Sequence, residues 1–239
     1  IAIGKRAGYK LTTGGNHILL GSGAGEFATT QNYMIAIGLN AGILATGSLG
    51  ITIGPYAGQN NTADYATFLG PYAGKSHTSG AKPTYIGHWA GYYSTDGANN
   101  VAVGYNALRG SGSTTGNDGN TAIGSSALAA ITTGNYNVGI GQYAGDSITT
   151  GASNINIGYS AGGDNTTSSN LLFIGNDTES NGGTLIKGDM DDKFLAIGKA
   201  DVTLSTEDAT LQVYPKLLSN DAAYFAKMPS GSTGDLIRI

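Results

Sequence analysis

The chain has 239 residues, of which 40 are glycine and 5 proline, and only 12% are charged and 8% aromatic. A net charge of −4 with scattered Lys and Arg leaves no basic stripe for nucleic acid or an anionic membrane, and the lack of cysteine excludes disulfides, thiolate metal sites and a thiol nucleophile. With 40% hydrophobic residues and no Gly-X-Y period, the glycine load fits neither a disordered linker nor collagen, and no apolar run reaches the roughly 20 residues of a membrane helix.

The chain opens on Ile1-Ala2-Ile3-Gly4-Lys5-Arg6-Ala7-Gly8, which reads as the middle of a pattern and so as a fragment of a longer protein. The same unit, branched-x-branched-Gly-x-x-Ala-Gly, returns as Ile35-Ala36-Ile37-Gly38-Leu39-Asn40-Ala41-Gly42 and Ile51-Thr52-Ile53-Gly54-Pro55-Tyr56-Ala57-Gly58. Later copies are Val138-Gly139-Ile140-Gly141-Gln142-Tyr143-Ala144-Gly145 and Ile155-Asn156-Ile157-Gly158-Tyr159-Ser160-Ala161-Gly162. Its defining glycines are Gly4, Gly21, Gly38, Gly54, Gly70, Gly87, Gly104, Gly124, Gly141 and Gly158, spaced by 17, 17, 16, 16, 17, 17, 20, 17 and 17 residues, with weaker echoes at Gly175 and Gly198.

A period near 17 over ten copies predicts an all-β parallel β-solenoid, one short strand and two corners to a coil. One corner is the Gly-x-x-Ala-Gly turn. The other is Thr-Thr-Gly, at Thr12-Thr13-Gly14, Thr114-Thr115-Gly116, Thr132-Thr133-Gly134 and Thr149-Thr150-Gly151, where the hydroxyls are expected to bond the local backbone. Helical repeats are longer and reject glycine, and the leucine-rich, hexapeptide and calcium-binding nonapeptide patterns are missing. At about 4.8 Å per stacked strand the eleven steps from Gly4 to Gly198 make a rod of roughly 50 Å. Ile3, Ile37, Ile53 and Ile140 should then share one column.

Along each strand the branched pair points one way and the residue between them the other. The middle residues Ala2, Leu19, Ala36, Thr52, Phe68, Tyr85, Ala102, Ala122, Gly139, Asn156, Phe173 and Ala196 are mostly small or apolar. A strand apolar on both faces is covered on both. The alanine file from Ala7 to Ala161 lines the coil interior; the second cover is expected from a partner subunit.

These residues also resemble a family. Asn100-Val101-Ala102-Val103-Gly104-Tyr105-Asn106-Ala107 and Asn120-Thr121-Ala122-Ile123-Gly124-Ser125-Ser126-Ala127 resemble the head repeats of YadA-like trimeric autotransporter adhesins. The 17-residue spacing with its Thr-Thr-Gly turn, and Leu171-Leu172-Phe173-Ile174-Gly175-Asn176 followed by Thr184-Leu185-Ile186-Lys187-Gly188-Asp189, are similar to the form found in bacteriophage tail fibre proteins. The resemblance covers residues 1 to about 198. It implies a left-handed β-roll, a homotrimer about one axis, and an extracellular or virion-surface place in host attachment. Phe68 and Tyr85 depart from it, since large rings in the middle position crowd three-fold packing.

The expected divisions are a repeat β-roll over 1–175, an irregular final coil over 176–198, and a C-terminal β region or connector over 199–239, where Val202-Thr203-Leu204 and Leu211-Gln212-Val213-Tyr214 alternate. The 20-residue step carries Arg109-Gly110-Ser111-Gly112-Ser113 as a protruding loop.

For chemistry, the acidic residues Asp177, Glu179, Asp189, Asp191 and Asp192 read as a solvated turn, with a weak calcium site or a carboxylate pair for glycan cleavage as alternatives. His17, His77 and His88 fall in separate coils without metal-ligand spacing, and no cofactor, metal or catalytic residue is expected. Near the repeat glycine stand aromatics that suit contact with a cell-surface glycan or protein receptor: Tyr56, Tyr72, His88, Trp89, Tyr92, Tyr105, Tyr143 and Tyr159, with Tyr93 beside them. The competing reading is that they stack coil on coil. The expected role is a structural, non-enzymatic phage tail fibre segment. A bacterial trimeric surface adhesin and a fibre-borne glycan depolymerase are the alternatives.

Overall fold

The computed structural model describes residues 1–112, 116–176, 184–191, 194–197 and 211–213. Ten parallel strands follow the repeat: β1 Ala2–Ile3, β2 Ile18–Leu20, β3 Ile35–Ile37, β4 Ile51–Ile53, β5 Thr67–Leu69, β6 Thr84–Ile86, β7 Val101–Val103, β8 Thr121–Ile123, β9 Val138–Ile140 and β10 Ile155–Ile157. They stack in chain order onto β11, Leu171–Gly175. Then the direction changes. Strand β12 (Thr184–Asp189) lies antiparallel to β11, β13 (Phe194–Ile197) antiparallel to β12, and β14 (Leu211–Val213) parallel to β13, in the same sheet. The expected Val202-Thr203-Leu204 strand lies outside the described residues.

Strands are this short because the repeat glycine ends each one. From Gly4 to Gly158 these glycines take φ between +122° and +138°, a region open to glycine and costly for other residues. The chain then turns, and the turn is hydrogen-bonded to the next coil like the strand: Gly8 N–H donates to Ala24 O at 2.9 Å and Gly25 N–H to Ala41 O at 3.0 Å. In the turns these bonds alternate with bonds inside the coil, such as Ala28 N–H to Gly25 O at 3.1 Å, so a coil alone would leave about half of its turn donors and all of its strand donors unpaired.

The register aligns Ile3, Leu20, Ile37, Ile53, Leu69, Ile86, Val103, Ile123, Ile140, Ile157 and Ile174 in one unbroken column, as the period requires. The column faces outward. Leu69, Ile123 and Ile140 are 42%, 40% and 38% exposed, whereas the middle residues Ala36, Phe68, Tyr85, Ala102 and Ala122 are wholly buried beside Ala57, Ala73, Ala90, Ala107 and Ala127. The middle file therefore belongs to the interior and the branched pair to the outer face, reversing the assignment that made Phe68 and Tyr85 obstacles to packing between subunits.

In four coils of the middle region the interior keeps its volume by exchange between two positions six residues apart. Where the middle residue is Phe68 or Tyr85, the later position is Gly74 or Gly91, and a Cβ there would meet the ring at 2.5 or 2.3 Å. Where the middle is Ala102 or Ala122, the later position is Leu108 or Leu128, held at φ +50° and fully buried. Phe68 and Tyr85 stack with ring centroids 5.4 Å apart, and His77 packs edge-on to both. Burial pushes the Tyr85 phenol up to about 12, although its hydroxyl bonds Ser94 Oγ at 2.9 Å.

Buried asparagines run through the later coils. Asn100, Asn120, Asn137 and Asn154 each accept, through Oδ1, the main-chain N–H one coil on, at 2.7, 2.9, 3.0 and 2.9 Å. The threonine corner works the same way. Thr12, Thr132 and Thr149 donate their hydroxyls to Thr29, Thr149 and Thr166 carbonyls at 3.1, 3.0 and 3.1 Å, so these groups bond the neighbouring coil and not the local backbone. Thr114 and Thr115 lie outside the described residues.

Candidate binding face

The aromatic residues near the repeat glycine occupy a tight turn whose second residue is left-handed: φ is +58° at Tyr56 and Tyr72, +61° at Trp89 and +59° at Tyr143. The turn throws these side chains outward while the following alanine points into the core. Stacking of coils then places equivalent rings one above another.

The result is one continuous patch over four coils. Tyr56 and Tyr72 lie parallel with centroids 5.3 Å apart; Tyr72 reaches His88 at 6.0 Å and Tyr92 at 6.3 Å. His88 lies 4.2 Å from Trp89, and Tyr105 closes on both at 5.8 Å. Tyr143 and Tyr159 do not join it and form a separate edge-on pair at 6.1 Å. The stacking reading of these rings is thus a property of the fold, with faces and edges left half-exposed.

Two cations sit in the patch. Lys75 Nζ is 5.9, 5.5 and 5.5 Å from the rings of Tyr56, Tyr72 and Tyr92, and donates to Tyr92 Oη at 3.2 Å. Arg109 Cζ lies 5.8 Å from the Trp89 ring and 5.6 Å from that of Tyr93. Arg6 pairs with Glu26 at 3.1 Å, whereas neither Lys75 nor Arg109 has a carboxylate partner among the described residues. Sequence reading passed over Lys75 and placed Arg109 only in a loop. A signal existed, since Lys75, Tyr92 and Arg109 are each 17 apart and so form one column.

Trp89, Tyr92, Tyr93 and Arg109 enclose a cavity of about 170 Å³. Beside it a shallower groove of about 520 Å³ runs past Arg109 and Ser126 to Tyr143 and Asp146. Burial raises the Asp146 carboxyl above its ordinary value, with Asp164 adding to the shift against its local hydrogen bonds.

The other candidates are scattered. His77 is in the core, between Ser94 O at 2.7 Å and Gly80 O at 2.8 Å; His17 Nδ1 accepts from Met34 N–H at 3.3 Å, the place asparagine fills in later coils. Asp189 and Asp191 shape their own turn: Asp189 Oδ1 accepts from Asp191 N–H at 3.0 Å and Asp191 Oδ2 from Asn170 Nδ2 at 2.8 Å. Asp177, Glu179 and Asp192 lie outside the described residues. Among the described ones, no three His, Asp or Glu side chains gather in a metal-binding group.

The class defined by this geometry is a parallel β-solenoid of about ten turns, consistent with a fibre- or adhesin-type solenoid. No protein-family model, curated protein or solved structure matches the chain.

Proposed function

We propose that the chain is a structural segment of an attachment fibre, displayed outside a virion or cell, which holds a recognition face at a distance and carries out no catalytic step. The tail fibre version of the repeat is the closer reading, because the described Thr-Thr-Gly corners at Thr12, Thr132 and Thr149 are spent on coil-to-coil hydrogen bonds that stiffen a rod. Three copies pack about a common axis in this reading, in the left-handed sense that the family resemblance implies.

The observation that carries it is the outward column from Ile3 to Ile174. Eleven branched residues in a line, unburied along their whole length, make an apolar stripe longer than isolated soluble chains ordinarily leave bare. Side chains of the other two copies cover it.

Light scattering of the purified protein tests the assembly. A mass near three times the 24.1 kDa of one chain is expected, together with an elongated shape in small-angle scattering. A mass of one chain in a well-folded sample overturns the reading.

A further inference from the structure

We propose that the cavity walled by Trp89, Tyr92, Tyr93 and Arg109, with Lys75 two coils away, is a seat for an acidic oligosaccharide whose sugar carboxylate pairs with Arg109. This rests on the display reading above and adds the ligand class. The argument begins with a cost. The second turn position is left-handed in every repeat, where glycine and asparagine sit most easily, and the chain does use Gly23, Asn40 and Asn106 there. Tyr56, Tyr72 and Trp89 hold the same conformation at a higher conformational cost, in three successive coils. Their stacking offsets part of this, but leaves ring faces and polar edges at the surface.

Charge supplies the second step. In a chain of net charge −4, Lys75 and Arg109 stand without carboxylate partners among the described residues, each over aromatic rings. Such rings keep a cation in place while leaving its donors free for an anion, and a guanidinium grips a planar carboxylate with two parallel bonds. Coils 75 and 109 are two steps apart, about 9.6 Å, a separation that two linked pyranose acids span. The cavity admits one sugar ring against Trp89 and Tyr92, the ring linked to it on one side reaches toward Lys75, and a third on the other side enters the groove toward Tyr143, where Ser126 and Asp146 accept hydroxyl donors. Broad half-exposed rings paired with isolated cations suit alternating apolar and hydroxylated sugar faces better than a flexible acidic peptide, which would ask for clustered cations.

Trp89 is the single tryptophan, so its fluorescence reports on this cavity alone. The full chain is titrated with trigalacturonate, with trisialic acid, with the methyl ester of trigalacturonate, and with hexaglutamate. A saturable change in Trp89 emission is expected with at least one acid sugar, and the arm that responds identifies a uronate or a sialate source. Affinity should fall about tenfold for the ester and for Arg109→Gln, the loss of one charge-assisted contact. No response to either acid sugar up to roughly 1 mM, equal binding of the ester, or equal binding of hexaglutamate overturns the proposal, the last in favour of a protein partner. Solution mass is followed in the same samples. Glycan failure with a trimeric mass leaves the fibre reading intact, whereas a mass change in Arg109→Gln assigns the face to contact between subunits and also overturns the sugar site.

Discussion

Gly104→Ala tests the stacking geometry at one of the close main-chain approaches between coils. Gly104 has φ +138°, and a Cβ built on it would lie 2.6 Å from the carbonyl oxygen and 2.7 Å from the carbonyl carbon of Gly124 in the next coil. Both are main-chain atoms, so no side chain can swing aside. Two costs follow: holding alanine in that backbone region, about 1–3 kcal/mol, and forcing two hydrogen-bonded coils apart, about 1–3 kcal/mol, together about 2–6 kcal/mol. Gly15→Ala is the control, because Gly15 has an ordinary φ and nothing within 4 Å of its Cβ position. It should change stability by less than about 0.5 kcal/mol. Thermal melts followed by circular dichroism should separate the two variants clearly. Since stability is mainly a sum over neighbouring coils, the damage should also be local. Amide exchange should accelerate at Gly124, whose N–H donates to Val103 O at 2.8 Å, and stay unchanged at Gly38, bonded to Leu20 O at 2.8 Å. Equal melting of the two variants, or acceleration spread evenly along the chain, would refute the reasoning.

Two further perturbations act on the interior. Asn137→Leu removes the acceptor of Asn154 N–H (3.0 Å) and the donor to Gly151 O (2.8 Å), leaving two buried groups unpaired, so denaturant melts should show a loss of about 1–3 kcal/mol for each. Tyr136→Ala, at a ring 66% exposed, should lose far less, and parity between the two would remove the asparagine column from the account. His77 is held below its ordinary 6.5 by burial, against the opposing pull of the Gly80 and Ser94 carbonyls and of Asp96. The unfolded chain therefore takes up this proton first as pH falls: the contribution of neutral His77 is complete above 6.5 and declines as pH drops below that value. The melting temperature should fall on that acid limb, less so in His77→Gln, and an imidazole titration midpoint above 6.5 measured by NMR would contradict this.

The period was readable because every coil repeats the same three demands: a glycine where φ is near +130°, an alanine behind it, and branched residues in a column. Which face of the strand lies inside was harder to read. Alternation separates Ile35 and Ile37 from Ala36 but does not say which file is enclosed, and with Ala, Leu, Phe and Tyr in the middle file both faces looked apolar. The deciding signal was present as compensation at a distance of six residues, Phe68 with Gly74, Tyr85 with Gly91, Ala102 with Leu108 and Ala122 with Leu128. It marks two positions that share one enclosed volume. The rings of the candidate face were visible as residues near the repeat glycine. Their grouping was not, because Tyr143 carries the same local motif as Tyr72 yet stands beyond Asn106 and Ser126, where the ladder of rings is interrupted. The cations became part of the face only when position 75 was set above 92 and 109.

A stack of near-identical coils has a particular weakness: any coil could pair with the wrong neighbour and still satisfy its main chain. The interior removes that degeneracy by differing along its length. Coils near Phe68 and Tyr85 need glycine at the later position, since a leucine there would run into the ring. The coils of Ala102 and Ala122 need leucine, since glycine would leave a void. From Asn100 to Asn154 each asparagine oxygen finds its N–H in the next coil and, at Asn120 and Asn137, each amide finds the Gly134 and Gly151 carbonyls at 2.9 and 2.8 Å. The repeat thus specifies the coil, and the departures from the repeat specify the order of the coils. A face assembled from coils 56 to 109 depends on that order, because only the correct sequence of turns brings Tyr56, Tyr72, Trp89 and Arg109 to adjacent positions on one surface.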